Sequence, residues 1–269
     1  MIFDAHSDIL YAALNLNTKD LLKHEIGILN YYFKGSENHD HFLFVLEQIK
    51  KIKKDIHPLS ILSIEGLGPL ERIEEVSLLK QVGIRSVMLT WNEENKWATG
   101  ALGRKERGIT KSGFLLLKEL EKYGFILDLS HLNQKSFFEA IKYYKGKVFA
   151  SHSNVLSLCP NLRNLTDDQI VEIANRKGVI GINAYIPFVG DDDLDKYIDH
   201  IEYIVKLTND KVPCLGFDFD YYFGKSSCLT ELSSLKDVNK LIDRLKERGF
   251  SEETIDNITY KNISRFLNL

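Results

Sequence analysis

The chain has 269 residues, 44% of them apolar and 27% charged, which is the make-up of an ordinary globular protein long enough to bury one large core. With 35 basic and 38 acidic residues its formal net charge is -3, which excludes the basic footprint of a nucleic-acid or membrane-surface binder. Cys159, Cys214 and Cys228 are widely spaced with no CxxC pair, which argues against a disulfide framework or a thiolate zinc site.

Apolar β-branched runs alternate with amphipathic helical patterns along the whole chain. Residues 2–7 read as a strand, 26–33 as a second, and 39–54 as a helix with Phe42, Leu43, Val45, Leu46, Ile49 and Ile52 at helical spacing. The run Lys50-Lys51-Ile52-Lys53-Lys54 that closes this helix suits the negative end of its dipole, and it reads as a solvated face rather than a binding patch. Strands follow at 59–64 and 84–90, with a helix over 70–81 between them and a polar Asn- and Gly-rich loop afterwards. Next come a helix over 111–123, a strand over 125–129, a helix over 133–144 and a strand over 148–150. Thr166-Asp167-Asp168 is an N-cap with acid in the first turn and opens a helix through Arg176. A strand over 179–184, a helix over 193–207 and a strand over 212–217 complete the alternation. Two helices, 234–248 and 251–266, close the chain, with Gly249 as stop and Ser251 as cap between them.

Eight buried-looking strands separated mostly by helices predict an α/β protein, a parallel (β/α)8 TIM barrel in one domain over residues 1–269. A doubly wound open sheet is the rival, weakened because no glycine-rich phosphate loop follows any strand. No run of about 18 apolar residues is present to span a bilayer, and no basic-then-apolar leader precedes Phe3. The expectation is a cytoplasmic protein without nucleic-acid or membrane partners.

Ionisable residues gather where these strands end. His6 and Asp8 follow the first, Glu65 the third, His131 the fifth, His152 the sixth, and Asp218 and Asp220 the eighth. Each has a dull explanation taken singly: a chance His-Xaa-Asp triplet, a turn at Ile-Glu-Gly, a loop histidine bonded to its neighbours. Asp128, next to that fifth strand end, reads as a cap or a salt-bridge partner. In a parallel barrel, however, every C-terminal strand end opens on one mouth, so three histidines and several carboxylates converge as metal ligands do. That count exceeds what one catalytic zinc needs, and two metals sharing a carboxylate account for the surplus. His24, His39, His41 and His57 read as surface residues, and His200 as either core or mouth.

These motifs resemble the membrane (renal) dipeptidase family of zinc metallopeptidases among the amidohydrolase-like barrels. The resemblance rests on ordered segments along nearly the whole chain, among them Asp4-Ala5-His6-Ser7-Asp8, Ser63-Ile64-Glu65-Gly66, Asp128-Leu129-Ser130-His131, Ser151-His152-Ser153-Asn154, Arg163-Asn164 and Asp218-Phe219-Asp220. It implies a binuclear zinc site: His6 and Asp8 on one ion, His131 and His152 on the other, Glu65 bridging. Asp218 matches the family's catalytic aspartate and Arg163 the arginine that grips the substrate carboxylate. The implied reaction is dipeptide hydrolysis by a hydroxide shared between the metals.

Two departures bear on substrate. Trp91 stands where the family often has a substrate-binding histidine, and an indole donates one hydrogen bond but shuttles no proton. Tyr221 replaces a glycine after Asp-Phe-Asp and narrows the expected mouth. Three readings therefore stay open: a zinc dipeptidase, a hydrolase of another small amide such as an N-acyl amino acid or lactam, and a non-catalytic metal-dependent binding protein. The dipeptide preference, the native metal and a homodimeric state also stay open.

Overall fold

The computed structural model describes residues 1–16, 18–225 and 227–269. Its strands are β1 (Asp4–Ser7), β2 (Gly27–Tyr32), β3 (Ile61–Glu65), β4 (Ile84–Met88), β5 (Ile126–Asp128), β6 (Val148–Phe149), β7 (Ile180–Ile182) and β8 (Pro213–Leu215). The helices up to β6 are α1 (Ile9–Asn15), α2 (His39–Ile52), α3 (Val76–Val82), α4 (Lys111–Lys122) and α5 (Gln134–Tyr143). Those beyond it are α6 (Asp167–Asn175), α7 (Ile186–Val189), α8 (Leu194–Leu207), α9 (Val238–Glu247), α10 (Glu252–Asp256) and α11 (Asn262–Leu267). All eight expected strands are present, each shorter than its apolar run because the flanking apolar residues pack without extending the ladder.

The chain forms two compact units, Met1–Asp8 with Ala150–Leu269, and Ile9–Phe149. In the second unit β2 to β6 lie side by side in sequence order, all parallel, with a register irregularity between Leu62 and Ser63. Helices cover them with one apolar face each. Phe42, Val45, Leu46, Ile49 and Ile52 are the buried side of α2, and Asn38 caps its start by accepting the His41 N–H at 2.9 Å. Thr110 and Asn133 cap α4 and α5 in the same way. Phe137 on α5 is fully buried, so Phe137→Ala costs about 3–5 kcal/mol through the cavity it leaves.

In the first unit β7 and β8 pair in parallel, and Ala150 bridges to Ile180. Added Cβ atoms at Gly181 or Gly216 would collide with the Ser151 carbonyl oxygen, so glycine is what lets these three segments close on one another. Beside β8, the carboxylate of Asp4 accepts the Phe217 N–H at 3.0 Å and anchors β1. The expected closing helix over 251–266 is interrupted by a π-helical turn at Asn257–Lys261. That turn presents the Thr259 carbonyl to the Phe3 N–H at 3.0 Å, fixing the chain just before His6. Asn262, fully buried after the turn, donates to the carbonyls of Asp210 and Pro213 at 2.8 Å each and holds the entry to β8.

Two readings of the sequence need correction. Helix α1 was not expected, because Ile9-Leu10-Tyr11-Ala12-Ala13-Leu14 is apolar all round and gives no helical stripe. Of the four histidines expected at the surface only His24 is exposed; His39, His41 and His57 are half-buried. His39 lies 3.3 Å from the buried Glu75 carboxylate, and His41 lies 3.3 Å from the Tyr31 hydroxyl. His200 is core.

Candidate functional site

Four strand ends of the first unit carry polar side chains that meet. His6 lies on β1, with Asp8 just past its end; His152 follows the β6 region, Asn183 follows β7, and Asp218 follows β8. His6 Nε2 is 3.5 Å from Asp8 Oδ1 and 3.6 Å from Asp218 Oδ1, and one ligand atom from each of the three falls within 4.8 Å of the others. The His6 and His152 rings approach to 3.7 Å between centroids.

Hydrogen bonding assigns the tautomers here. Arg163 Nη2 donates to His152 Nε2 at 2.9 Å, so the proton of that imidazole is on Nδ1 and is given to Ser151 Oγ at 2.7 Å. The Ser151 proton is then left for His6 Nδ1 at 3.1 Å, and His6 turns Nε2 toward the two carboxylates. Arg163 is itself buried, its guanidinium 5.5 Å from the Phe188 ring centroid.

Asp218 has a left-handed backbone, φ 58°, which costs of order 1 kcal/mol for a residue with a side chain. Its N–H donates to the His6 carbonyl at 3.3 Å, and its Oδ2 accepts from Asn183 Nδ2 at 3.0 Å. Asn183 is fixed in turn by reciprocal bonds with Asn154: its N–H donates to Asn154 Oδ1 at 2.8 Å and its carbonyl accepts from Asn154 Nδ2 at 3.0 Å.

In the second unit Glu65 ends β3 and His131 follows β5, again with a left-handed backbone, φ 70°. His131 Nε2 meets Glu65 Oε1 at 2.8 Å, and both residues are buried. The other ring nitrogen donates to Asn92 Oδ1 at 2.9 Å. Two lone-pair donors this close, out of water, require a positive charge between them: a proton, or a cation that both coordinate. Trp91 stacks toward His131 with 6.2 Å between ring centroids. Asp128 accepts the Ser130 N–H at 3.0 Å, the capping one of the two roles read for it from the sequence.

Residues 9–268 match the membrane dipeptidase family, peptidase family M19. The chain belongs to that family, and its activity is that of a metal-dependent dipeptidase. A Klebsiella pneumoniae protein described only as uncharacterized, in the pqqA 5′ region, is 26% identical over 92% of this chain and 95% of its own. Dipeptidase aclJ of Aspergillus oryzae is 29% identical over 77% of this chain, which spans about half the length of that relative (50%). A solved metallo peptidase of Rhodobacter sphaeroides, liganded with a phosphinate mimic of the dipeptide L-Ala-D-Ala, superposes with a TM-score of 0.81 at 18% identity. It covers 99% of this chain and 98% of its own, and what the two share is an α/β fold built on parallel strands. The expected fold class and family are thus both found.

Among the residues expected from the sequence, the first unit brings together His6, Asp8, His152, Arg163 and Asp218, and the second brings together Glu65, His131 and Trp91. Sequence reading missed the supporting amides Asn154 and Asn183 and the hydroxyl of Ser151. Their signal was available in one place: Asn183 stands two residues past Gly181, at a strand end where no ionisable residue drew attention.

Proposed function

We propose that this dipeptidase works with two zinc ions, held by His6, Asp8, Glu65, His131 and His152, and that the whole chain acts as one catalytic domain in the cytoplasm. The observation that carries the reading is the buried Glu65–His131 contact at 2.8 Å, which calls for a shared positive charge. Imidazole and carboxylate donors suit zinc, and His6 with Asp8, whose Nε2 and Oδ1 lie 3.5 Å apart, offers a second such pair. Three buried cysteines that form no disulfide agree with a reducing compartment.

When bound, such a metal pair lowers the pKa of a coordinated water and polarises the scissile carbonyl. Asp218 would accept a proton from the attacking water and hand it to the leaving amine, with Asn183 holding Oδ2 so that Oδ1 is the working oxygen. Arg163 binds the C-terminal carboxylate of the dipeptide through its planar fork. His152 would serve as a ligand only with its Nε2 lone pair released from the guanidinium, which would leave Arg163 Nη2 available for substrate. Trp91 offers an indole N–H or an apolar face beside His131, which orients substrate without moving a proton.

The substrate class includes L,L dipeptides and, given the ligand of the Rhodobacter relative, dipeptides ending in a D residue. Elemental analysis of the purified chain together with a panel of L,L and L,D dipeptides tests this. About two zinc ions per chain and turnover on the panel are expected; a metal-loaded protein that cleaves no dipeptide overturns the reading. Trp91 favours one second reading, hydrolysis of an N-acyl amino acid or lactam, which kcat/KM on those compounds against the dipeptides decides.

A further inference from the structure

Helix α7 is a single turn whose one buried side chain is Val189, yet it also carries an aromatic ring, Phe188, that stays half-buried. Val189 rather than Phe188 packs the turn down. The Phe188 ring lies instead under the guanidinium of Arg163, with 5.5 Å from Cζ to the ring centroid. Arg163 is 5% exposed, and its Nη2 donates to His152 Nε2 at 2.9 Å. The imidazole thus meets the edge of the cation and the phenyl ring covers one side of it.

The two segments are tied together around this contact. Asn164 Nδ2 donates to the Phe188 carbonyl at 2.9 Å and Asn161 Nδ2 to the Pro187 carbonyl at 3.1 Å, while Cys159 Sγ reaches that same Pro187 carbonyl at 3.4 Å. His200 spans them from the Val155 N–H to the Val189 carbonyl. Tyr185 meets the Phe188 ring edge to face, with 4.8 Å between centroids, and fixes which way that ring turns. A long side chain that must grip a carboxylate with both arms of its fork loses rotamer freedom in doing so. A ring held against it removes competing rotamers beforehand, attracts the cation through its negative face and keeps water off that side. With water excluded, the bond to an incoming carboxylate is stronger.

We propose that Phe188 is the positioning residue that presents Arg163 to the C-terminal carboxylate of the substrate. It thereby sets how strongly the chain prefers a free dipeptide over the same dipeptide with its C-terminus blocked. The inference rests on the carboxylate-binding role proposed for Arg163. Phe188 acts through the guanidinium and touches none of the reacting atoms, so its effect belongs in substrate binding and not in the chemical step.

Steady-state kinetics of the metal-loaded chain on a dipeptide and on the C-terminal amide of that dipeptide test this. The variants are Phe188→Leu, which keeps an apolar side chain without a π face, Phe188→Tyr, which keeps the ring, Arg163→Ala, and the double variant F188L/R163A. In Phe188→Leu, KM for the dipeptide should rise about three- to tenfold with kcat within about twofold of the parent, while kcat/KM for the amide stays unchanged. Phe188→Tyr should match the parent on both compounds. In the Arg163→Ala background Phe188→Leu should add nothing, because the ring has no cation left to hold. An unchanged dipeptide KM in Phe188→Leu, an equal loss on dipeptide and amide, a tyrosine variant as poor as the leucine one, or losses that multiply in the double variant each overturn the assignment. A metal-loaded parent that cleaves no dipeptide overturns the reading of the site beneath it and this inference with it.

Discussion

The two units carry the same kinds of donor but hold them by different means. In the first, Ser151, Asn154 and Asn183 form relays of neutral groups that end on His6, His152 and Asp218. In the second, Glu65 and His131 meet directly, with Asn92 on the far imidazole nitrogen. One arrangement spreads the positioning over several weak bonds; the other concentrates it in a single buried contact between charged or chargeable groups. Losing one amide from the relay leaves the others in place. Losing one partner of the pair leaves the other buried without its counter-charge, which costs far more.

Glu65→Gln is therefore the substitution expected to do most damage. It keeps the shape and removes the charge, and turnover should fall by about 10³-fold or more as bound zinc drops below two per chain. Elemental analysis beside steady-state kinetics reads both, and wild-type kcat with full metal content would break the comparison. Asp218→Asn comes next, with kcat down by about 10²- to 10⁴-fold while zinc stays bound, since the lost function is proton transfer. Arg163→Lys keeps the charge but not the fork; KM for dipeptides should rise about tenfold or more with kcat little changed. An equal loss in kcat and kcat/KM would place Arg163 in the transition state instead.

The ionisable half of this comparison was legible in the sequence because strand ends can be read from apolar runs, and a histidine or carboxylate directly after one stands out. His6, Asp8, Glu65, His131, His152 and Asp218 were all visible in that way. The neutral half was not. Ser151 and Asn154 stood in the segment around His152 but carry no charge to mark a role, which shows only in the bonds of Ser151 with His6 and His152 and of Asn154 with Asn183. Helix α1 was lost because an element apolar on every side has no periodicity to detect.

Asn183→Ala tests the relay itself. Asp218 loses the donor to Oδ2 but keeps its backbone bond to the His6 carbonyl, so kcat should fall only about three- to tenfold. The carboxylate also loses stabilisation of its charged form, so the acid limb of the pH–rate profile should move to higher pH. A drop in activity without that movement would mean Asn183 supports the fold and not the aspartate.

His200 provides the smallest and cleanest contrast, because it is a buried histidine of the first unit with no lone pair to spare. Its Nδ1 accepts the Val155 N–H at 3.1 Å and its Nε2 donates to the Val189 carbonyl at 3.0 Å, so the neutral ring is fully used. Burial pushes its pKa below the ordinary value of 6.5, the Val189 bond opposing the shift only in part. The unfolded chain then takes up a proton below about pH 6.5 that the folded chain refuses, and stability falls as pH drops, by up to about 1.4 kcal/mol per pH unit. Above that pH the group contributes no pH dependence. His200→Gln cannot titrate, so its urea midpoint should decline less between pH 7.5 and pH 5 than the parent's, even though it starts lower by roughly 1 kcal/mol for imperfect hydrogen bonds. The other histidines are the same in both proteins, so the difference between the two curves belongs to His200. Parallel curves would show that this ring can accept a proton in place, and that the Val155 bond is not what holds it.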